Sequence, residues 1–342
     1  MKERVLFIGG PGNISASAIG ALLEIGCNVA VFTLPESAGG RLKGDVRFYT
    51  GDRNNIGGLK AALDDFKPEI ILDFVCFTPQ QAQQVLNLTY GKVKQFIFVS
   101  TVDVYGYPMS RLPMREDDPW MPAVTGYAEE KKKCEDLFWA KHDKERFPLT
   151  VVRPSYSLGA TFVLHFTNFW GGYAIDRIRE GKPVLVPGDG NTLIHASSAV
   201  NTGRMIARTV GTAASIGKSY TCGHDHILTH DGYIKTIGRA AGREPVIAHV
   251  PMELLFSLEL EEMKSWPLWT LNRFNLAYSI EEFRRDFPDF RWEATLEDGV
   301  RAFIEREEKK GGLSKAGAEI IDDKIIKAWE ECKGRFTLIG DR

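Results

Sequence analysis

A hydroxyl at the carboxyl end of an apolar run, and a tyrosine four residues before a lysine, are the parts of a proton-transfer site. Here they are Thr101, which follows Gln95-Phe96-Ile97-Phe98-Val99-Ser100, and Tyr127 with Lys131. On a helix, Tyr127 and Lys131 sit one turn apart on the same face. An ammonium beside a phenol favours the phenolate, so the spacing predicts a Tyr127 pKa lowered from about 10 toward neutrality. A phenol so tuned takes or returns the proton of a carbinol at about pH 7. Thr101 would hydrogen-bond the same oxygen and hold it in place. By itself Tyr-x-x-x-Lys is a common chance spacing, one core edge and one solvated charge; what lifts it is the company it keeps at the amino terminus.

Those residues need a rigid frame, and the pattern supplies one. Val5-Leu6-Phe7-Ile8 reads as a short strand, Gly9-Gly10-Pro11-Gly12-Asn13-Ile14-Ser15 as a glycine turn, Ala16 to Ile25 as a small-residue helix, and Asn28 to Thr33 as the next strand. This is the context a dinucleotide fingerprint requires. Gly9 allows the tight turn, and Gly12 lets the backbone approach a pyrophosphate. The anion would rest on the helix amino terminus at Asn13 and Ile14. An acid after the second strand would grip a ribose 2′-hydroxyl, and a base a 2′-phosphate. Thr33-Leu34-Pro35-Glu36 offers neither cleanly, and Arg41 and Lys43 follow in a glycine-rich loop, so these residues leave the choice between NAD and NADP open. Asp52 and Arg53, past the third strand (Asp45 to Tyr49), are placed to meet an adenine edge, though Asp52 would equally cap the helix Ile56 to Phe66. Phe74 ends a fourth strand from Ile70, Ser100 and Thr101 follow the fifth, and Arg153-Pro154-Ser155-Tyr156 follows the sixth, Leu149 to Val152. Ligands in such sheets bind beyond the carboxyl ends of the strands, which adds Phe74, Ser100, Pro154 and Ser155 to the expected cofactor contacts.

Strands alternating with helices at this spacing predict an α/β fold, a Rossmann-type doubly wound parallel sheet. The alternation weakens after Gly159. Residues 1–158 are therefore read as the dinucleotide-binding domain, with 183–212 returning to it through a sheet strand at Pro183 to Val186. Residues 159–342 are read mainly as a smaller substrate-binding lobe with C-terminal helices, the last of them amphipathic and docked on the body. Thr78, Asp103, Tyr156, His165, Trp170 and His195 are the candidate substrate contacts. His224, His226 and His230 flank a helix start at Thr229 and are read as polar residues around a cap, so no metal site is expected.

Composition narrows the function classes. The net charge of −2 implies no basic face, so nucleic acid is not an expected partner. Five scattered cysteines with no CxxC pair point to a reducing, cytoplasmic compartment rather than to a disulfide framework. No window is long and apolar enough to span a membrane.

Together, the glycine fingerprint, Gly51-Asp52-Arg53, Val99-Ser100-Thr101-Val102-Asp103-Val104-Tyr105-Gly106, Tyr127 to Lys131, Arg153-Pro154-Ser155-Tyr156 and Pro183-Val184-Leu185-Val186-Pro187-Gly188-Asp189-Gly190 resemble the extended short-chain dehydrogenase/reductases. More narrowly, the chain resembles the NAD-dependent epimerase/dehydratase family acting on nucleotide sugars. The resemblance implies a tightly held nicotinamide, Tyr127 as acid/base, Thr101 as companion hydroxyl, and Lys131 bonding the nicotinamide ribose. It also implies a homodimer, for which Leu137, Phe138 and Trp139 offer a face. Two departures stand out. Dehydratases of the family carry an Asp-Glu pair after the hydroxyl residue where this chain has Val102-Asp103, and Tyr156 stands where an Asn is common. An NADPH-dependent carbonyl reductase is the alternative activity. A fainter likeness to chloroplast stem-loop RNA-binding relatives runs through Phe74-Val75-Cys76-Phe77-Thr78-Pro79 and Arg153-Pro154-Ser155-Tyr156.

Overall fold

Every second residue of a buried parallel strand faces a different layer of helices, and the first strand sets the pattern. In a computed structural model that describes residues 3–38, 42, 44–167, 171–258, 272–313 and 318–336, β1 (Arg4–Ile8) is apolar on both sides. Val5 and Phe7 pack with Ala18, Ile19 and Leu22 of α1 (Ser15–Glu24) and with Met205 and Ile206 of the helix Ala199–Thr209. Leu6 and Ile8 face the opposite layer, Leu59 of α2 (Ile56–Phe66), Val85 of α3 (Pro79–Thr89) and Phe138 of α4 (Gly126–Glu145). A strand buried on both faces is what a parallel sheet demands.

With β2 (Asn28–Thr33), β3 (Val46–Thr50), β4 (Ile70–Asp73), β5 (Gln95–Val99) and β6 (Leu149–Pro154), β1 forms a seven-stranded sheet completed by Lys218–Cys222. The order is Lys218–Cys222, β6, β5, β4, β1, β2, β3, and every pairing is parallel. The order reverses between β1 and β4, which opens a crevice above their carboxyl ends. This is the doubly wound α/β fold expected.

The chain divides into two compact units. The first is Met1–Ser157, Ser197–Asp225 and Tyr278–Ala294; the second is Leu158–Ala196, His226–Ala277 and Thr295–Arg342. The segment returning to the sheet unit thus begins at 197 rather than 183. Pro183–Pro187 is not a strand of the main sheet: it pairs in parallel with Val246–Val250 within the second unit. An apolar run of that length fits a strand, but periodicity does not say in which sheet. Also in the second unit, Ile325 and Ile326 of the last helix, Ala318–Phe336, pack with Leu185, Val250 and Leu255. Among the described residues no helix is long and apolar enough to cross a membrane.

Candidate functional site

Beyond the carboxyl ends of β1, β2 and β4 lies a groove of about 440 Å³ whose lining includes Gly9, Gly12, Thr33, Asp52, Val75 and Phe77. Gly9 has φ +88, and a Cβ there would lie 2.5 Å from Val75 Cγ1, so both the turn and the close pass of the β4 loop require glycine. Gly12 differs. A Cβ there would meet only Ser15 Oγ, at 3.4 Å, so nothing in the fold excludes it as firmly; what the missing side chain preserves is the groove. The Gly12 N–H is taken by Ser15 Oγ at 2.7 Å, and no side chain caps α1. An uncapped helix amino terminus at a groove mouth suits an anion. At the far ends of β5 and β6, the buried Ser100 Oγ and Ser155 Oγ have no hydrogen-bond partner among the described residues. An open glycine cradle, a bare helix end and two orphaned hydroxyls fit a dinucleotide running across the strand ends.

Thr125 caps α4 by accepting from Ala128 N at 3.1 Å, and this sets Tyr127 in the first helical turn. The Thr101 hydroxyl is among the groups that act on the Tyr127 phenol, favouring its ionised form. The residue as a whole is 45% exposed while its hydroxyl end is shielded. Lys131 lies one turn on but turns inward: its Nζ donates to Val99 O at 2.8 Å and sits 4.8 Å from the Phe77 ring centre and 4.9 Å from that of Phe98. The expected lowering of the phenol pKa is therefore corrected. Burial and the Asp103 charge push Tyr127 above its usual value, with the Thr101 hydroxyl opposing, and the Lys131 amine is itself pushed down by burial. Shared helical face does not fix the direction of a long side chain, and here the carbonyl and the two rings claim the ammonium.

Asp103, expected as a substrate contact, is instead the centre of a cluster of hydroxyls. Its carboxylate is buried, accepting from Tyr156 Oη at 2.6 Å and Tyr107 Oη at 2.9 Å, while its backbone N–H donates to Thr101 Oγ1 at 3.2 Å. Tyr107 continues to Tyr278 Oη at 2.9 Å. Burial pushes the Asp103 carboxyl up, and the three hydroxyls oppose it. Tyr156 is thus a partner of Asp103 and is itself buried.

Several expected contacts prove structural. Thr78 is the N-cap of α3 in a full capping box with Gln81, so its hydroxyl serves the helix. Phe74 stacks on Phe7 at 5.7 Å within the core, and Val75 and Phe77 line the groove in its place. Arg53 does line the groove, but its guanidinium is spent on buried Asp73, at 3.0 and 3.2 Å, and on Gln81 O. Asp52 is exposed and accepts from Asn54 N; Asn55, not Asp52, caps α2. Thr33 is buried at the groove wall, and Pro154 closes β6. Arg153 is fully buried in a bidentate pair with Glu135 at 2.7 and 3.0 Å, a partner that sequence alone did not suggest. Phe138 is core, with Leu137 and Trp139 packed against the same cluster, which removes Phe138 from any dimer face.

In the second unit His165 is buried, hydrogen-bonded to Thr167 and Tyr173, and lowered to about 3 by burial. His195 and His230 are buried as well. Packing, then, rather than an open substrate face, surrounds all three. Trp170, Arg41 and Lys43 lie outside the described residues. His224 bonds Asp225 at 2.9 Å and stacks on Trp292, while Asp225 also accepts from Arg284 and Trp292, so that carboxylate is already engaged.

Comparison with known proteins agrees with this geometry. No curated protein matches the chain by sequence. Among solved structures it resembles an epimerase, Mth375, from Methanothermobacter thermautotrophicus, with TM-score 0.72 and 18% identity over 91% of this chain and 95% of the other. It also resembles dTDP-glucose 4,6-dehydratase from Bacillus anthracis in complex with NAD, with TM-score 0.70 and 18% identity over 90% and 97% of the chains. A third likeness is to UDP-glucose 4-epimerase from Thermotoga maritima with UDP-glucose, with TM-score 0.65 and 19% identity over 90% and 99%. At such identities the structures speak for the fold. Residues 5–216, which contain the glycine groove, Thr101, Tyr127 and Lys131, match the NAD dependent epimerase/dehydratase family, and the chain belongs to that family, whose enzymes are of the extended short-chain dehydrogenase/reductase type.

Proposed function

We propose that the protein acts on a sugar or nucleotide sugar by transient oxidation of a carbinol, with Tyr127 as acid/base and NAD as the retained cofactor. The observation that carries this reading is the placement of Tyr127 in the first turn of α4 and of Thr101 at the carboxyl end of β5, in the same unit as the glycine groove. Tyr127 takes the carbinol proton and Thr101 holds the same oxygen. Ser100 and Ser155, each buried with an unpaired hydroxyl, supply hydrogen bonds to the dinucleotide, and Lys131 orients its ribose once Val99 no longer holds the amine alone. A nicotinamide bound in the groove would supply the hydride acceptor and donor. Epimerisation is favoured over elimination of water, because Val102, where dehydratases carry an acid, is apolar and fully buried.

Incubation with UDP-, GDP- and dTDP-sugars, followed by product analysis and by the nicotinamide absorbance, tests the activity. Epimerase action leaves no net consumption of cofactor, whereas stoichiometric consumption of NADPH would mark a carbonyl reductase. Tyr127→Phe is expected to lower turnover by about 10²-fold or more, the scale of a lost acid/base group. Undiminished turnover in that variant ends the assignment. A homodimer in a reducing, cytoplasmic compartment belongs to the same proposal, and light scattering of the purified protein checks the dimer.

A further inference from the structure

Phe77 lines the glycine groove and touches both Tyr127 and Lys131. Its ring centre lies 6.4 Å from that of Tyr127, the two planes inclined by 47°, and 4.8 Å from Lys131 Nζ. Tyr127 and Lys131 stand one turn apart on α4, so a single ring from the loop between β4 and α3 meets both. That ring hangs from a pinned backbone. The Phe77 N–H donates to Gln81 Oε1 at 2.7 Å, beside the capping box that opens α3. Gln81 Nε2 in turn donates to Asn54 Oδ1 at 2.9 Å, in the loop that follows β3. A lone exposed aromatic is ordinary on a protein surface, and Phe77 is 43% exposed. Its neighbours are not ordinary. Lys131 is 1% exposed, and among the described residues its Nζ makes one hydrogen bond, to Val99 O at 2.8 Å, and no ion pair. Two rings take the place of a counter-ion, Phe77 at 4.8 Å and Phe98 at 4.9 Å. Phe98 belongs to β5 and is fully buried, whereas Phe77 faces the groove.

We propose that Phe77 is the positioning residue of the Tyr127–Lys131 pair, its ring setting where the phenol and the ammonium stand beside the groove. This rests on the carbinol-oxidation reading above, in which that pair acts. A carboxylate at the place of the ring would hold the ammonium more firmly but would also neutralise it. A ring face attracts the charge and leaves it available to the hydroxyls of a ligand. An aliphatic side chain of similar bulk would still pack on Tyr127, yet it would offer the ammonium no negative face. Lys131 would then lose one of the two rings that hold it and swing about its bond to Val99 O. No bond forms or breaks at Phe77; it acts through two other side chains.

The test uses the full chain and compares wild type with Phe77→Leu and Phe77→Met, which keep apolar bulk without a ring, and with Phe77→Tyr, which keeps the ring. The first readout needs no turnover. Each protein, in nucleotide-free buffer, is labelled with a trace of acetic anhydride, and acetylation of Lys131 is read by mass spectrometry against its exposed neighbours Lys132 and Lys133. The Lys131 ratio should rise about 5-fold in the Leu and Met variants, the equivalent of one lost ring contact, and return toward wild type in Phe77→Tyr. A general loosening of the fold would instead raise all three lysines together. The second readout is turnover with NAD and UDP-glucose, dTDP-glucose or GDP-mannose. There kcat should fall about 5-fold in the Leu and Met variants, with little change in KM for the sugar nucleotide, and Phe77→Tyr should recover it. An unchanged Lys131 ratio in both ringless variants, with wild type active, overturns the proposal and leaves the carbinol-oxidation reading standing. A raised ratio with undiminished kcat overturns it as well. Absence of turnover by wild type on all three sugar nucleotides overturns the carbinol-oxidation reading and, with it, the role given to Phe77.

Discussion

Replacing Lys131 by Met separates what the amine does for the site from what it does for the fold. The side chain is 1% exposed, and the nearby buried carboxylates Asp73 and Glu135 are already paired to Arg53 and Arg153. Keeping an ammonium there costs several kcal/mol of desolvation, ~4 on the usual scale. Against this stand one charged hydrogen bond to Val99 O, worth about 2 kcal/mol, and two ring contacts, about 1 kcal/mol each. The terms nearly cancel, so exchange for an isosteric apolar chain should leave stability within about 1 kcal/mol, roughly 0.5 M in urea midpoint. Turnover, by contrast, should fall by about 10²-fold, and nucleotide retention should weaken. Urea unfolding in nucleotide-free buffer, with the sugar-nucleotide assay on the same preparations, measures both. A midpoint loss well beyond 0.5 M in urea would show Lys131 to be a pin of the α4–β5 contact. Unaltered turnover and retention would remove it from the site altogether.

Glu135→Gln should behave oppositely. It strands the Arg153 guanidinium, which is buried and, among the described residues, hydrogen-bonded otherwise only to Tyr105 and Ser219, and should cost about 3–5 kcal/mol in the same unfolding experiment; a Glu135→Gln/Arg153→Met double variant should recover most of it. In the second unit, burial raises Asp322 to about 6, with Thr167 and Tyr173 donating to it at 3.2 Å. A carboxyl raised in the folded state favours folding in its protonated form. Its contribution is complete below pH ~4 and is lost as pH rises through about 6. Asp322→Asn should remove that dependence, so the difference in melting temperature between variant and wild type should change between those two pH values and be flat above them.

Much of the architecture was legible because two signals are local. Apolar strands buried on both faces and a glycine turn at the first of them are written in consecutive residues, and they led to the sheet, the groove and the β5 end. The capping box at Thr78 and Gln81 is equally local: the Thr-x-x-Gln spacing by itself assigns the Thr78 hydroxyl to the start of α3. The rest depends on distant partners. Tyr278 reaches the Asp103 cluster from 171 residues beyond Tyr107, and no spacing announces it. The pairing of Pro183–Pro187 with Val246–Val250 is another such case. For Lys131, the helical period located the Cα, while the amine followed a carbonyl and two rings contributed by other elements.

Because the nucleotide-binding half is stitched from three separate stretches of chain, it has no single point at which it can be cut free. A ribosome that has released only the first 160 residues presents β6 with one side bare, since its neighbour Lys218–Cys222 has not been made. That naked edge is an invitation to stray strand pairing until some sixty further residues emerge. Biosynthesis, rather than the finished enzyme, is where a lesion in Lys218–Cys222 should be felt first, as insoluble product from a gene whose catalytic residues are all intact.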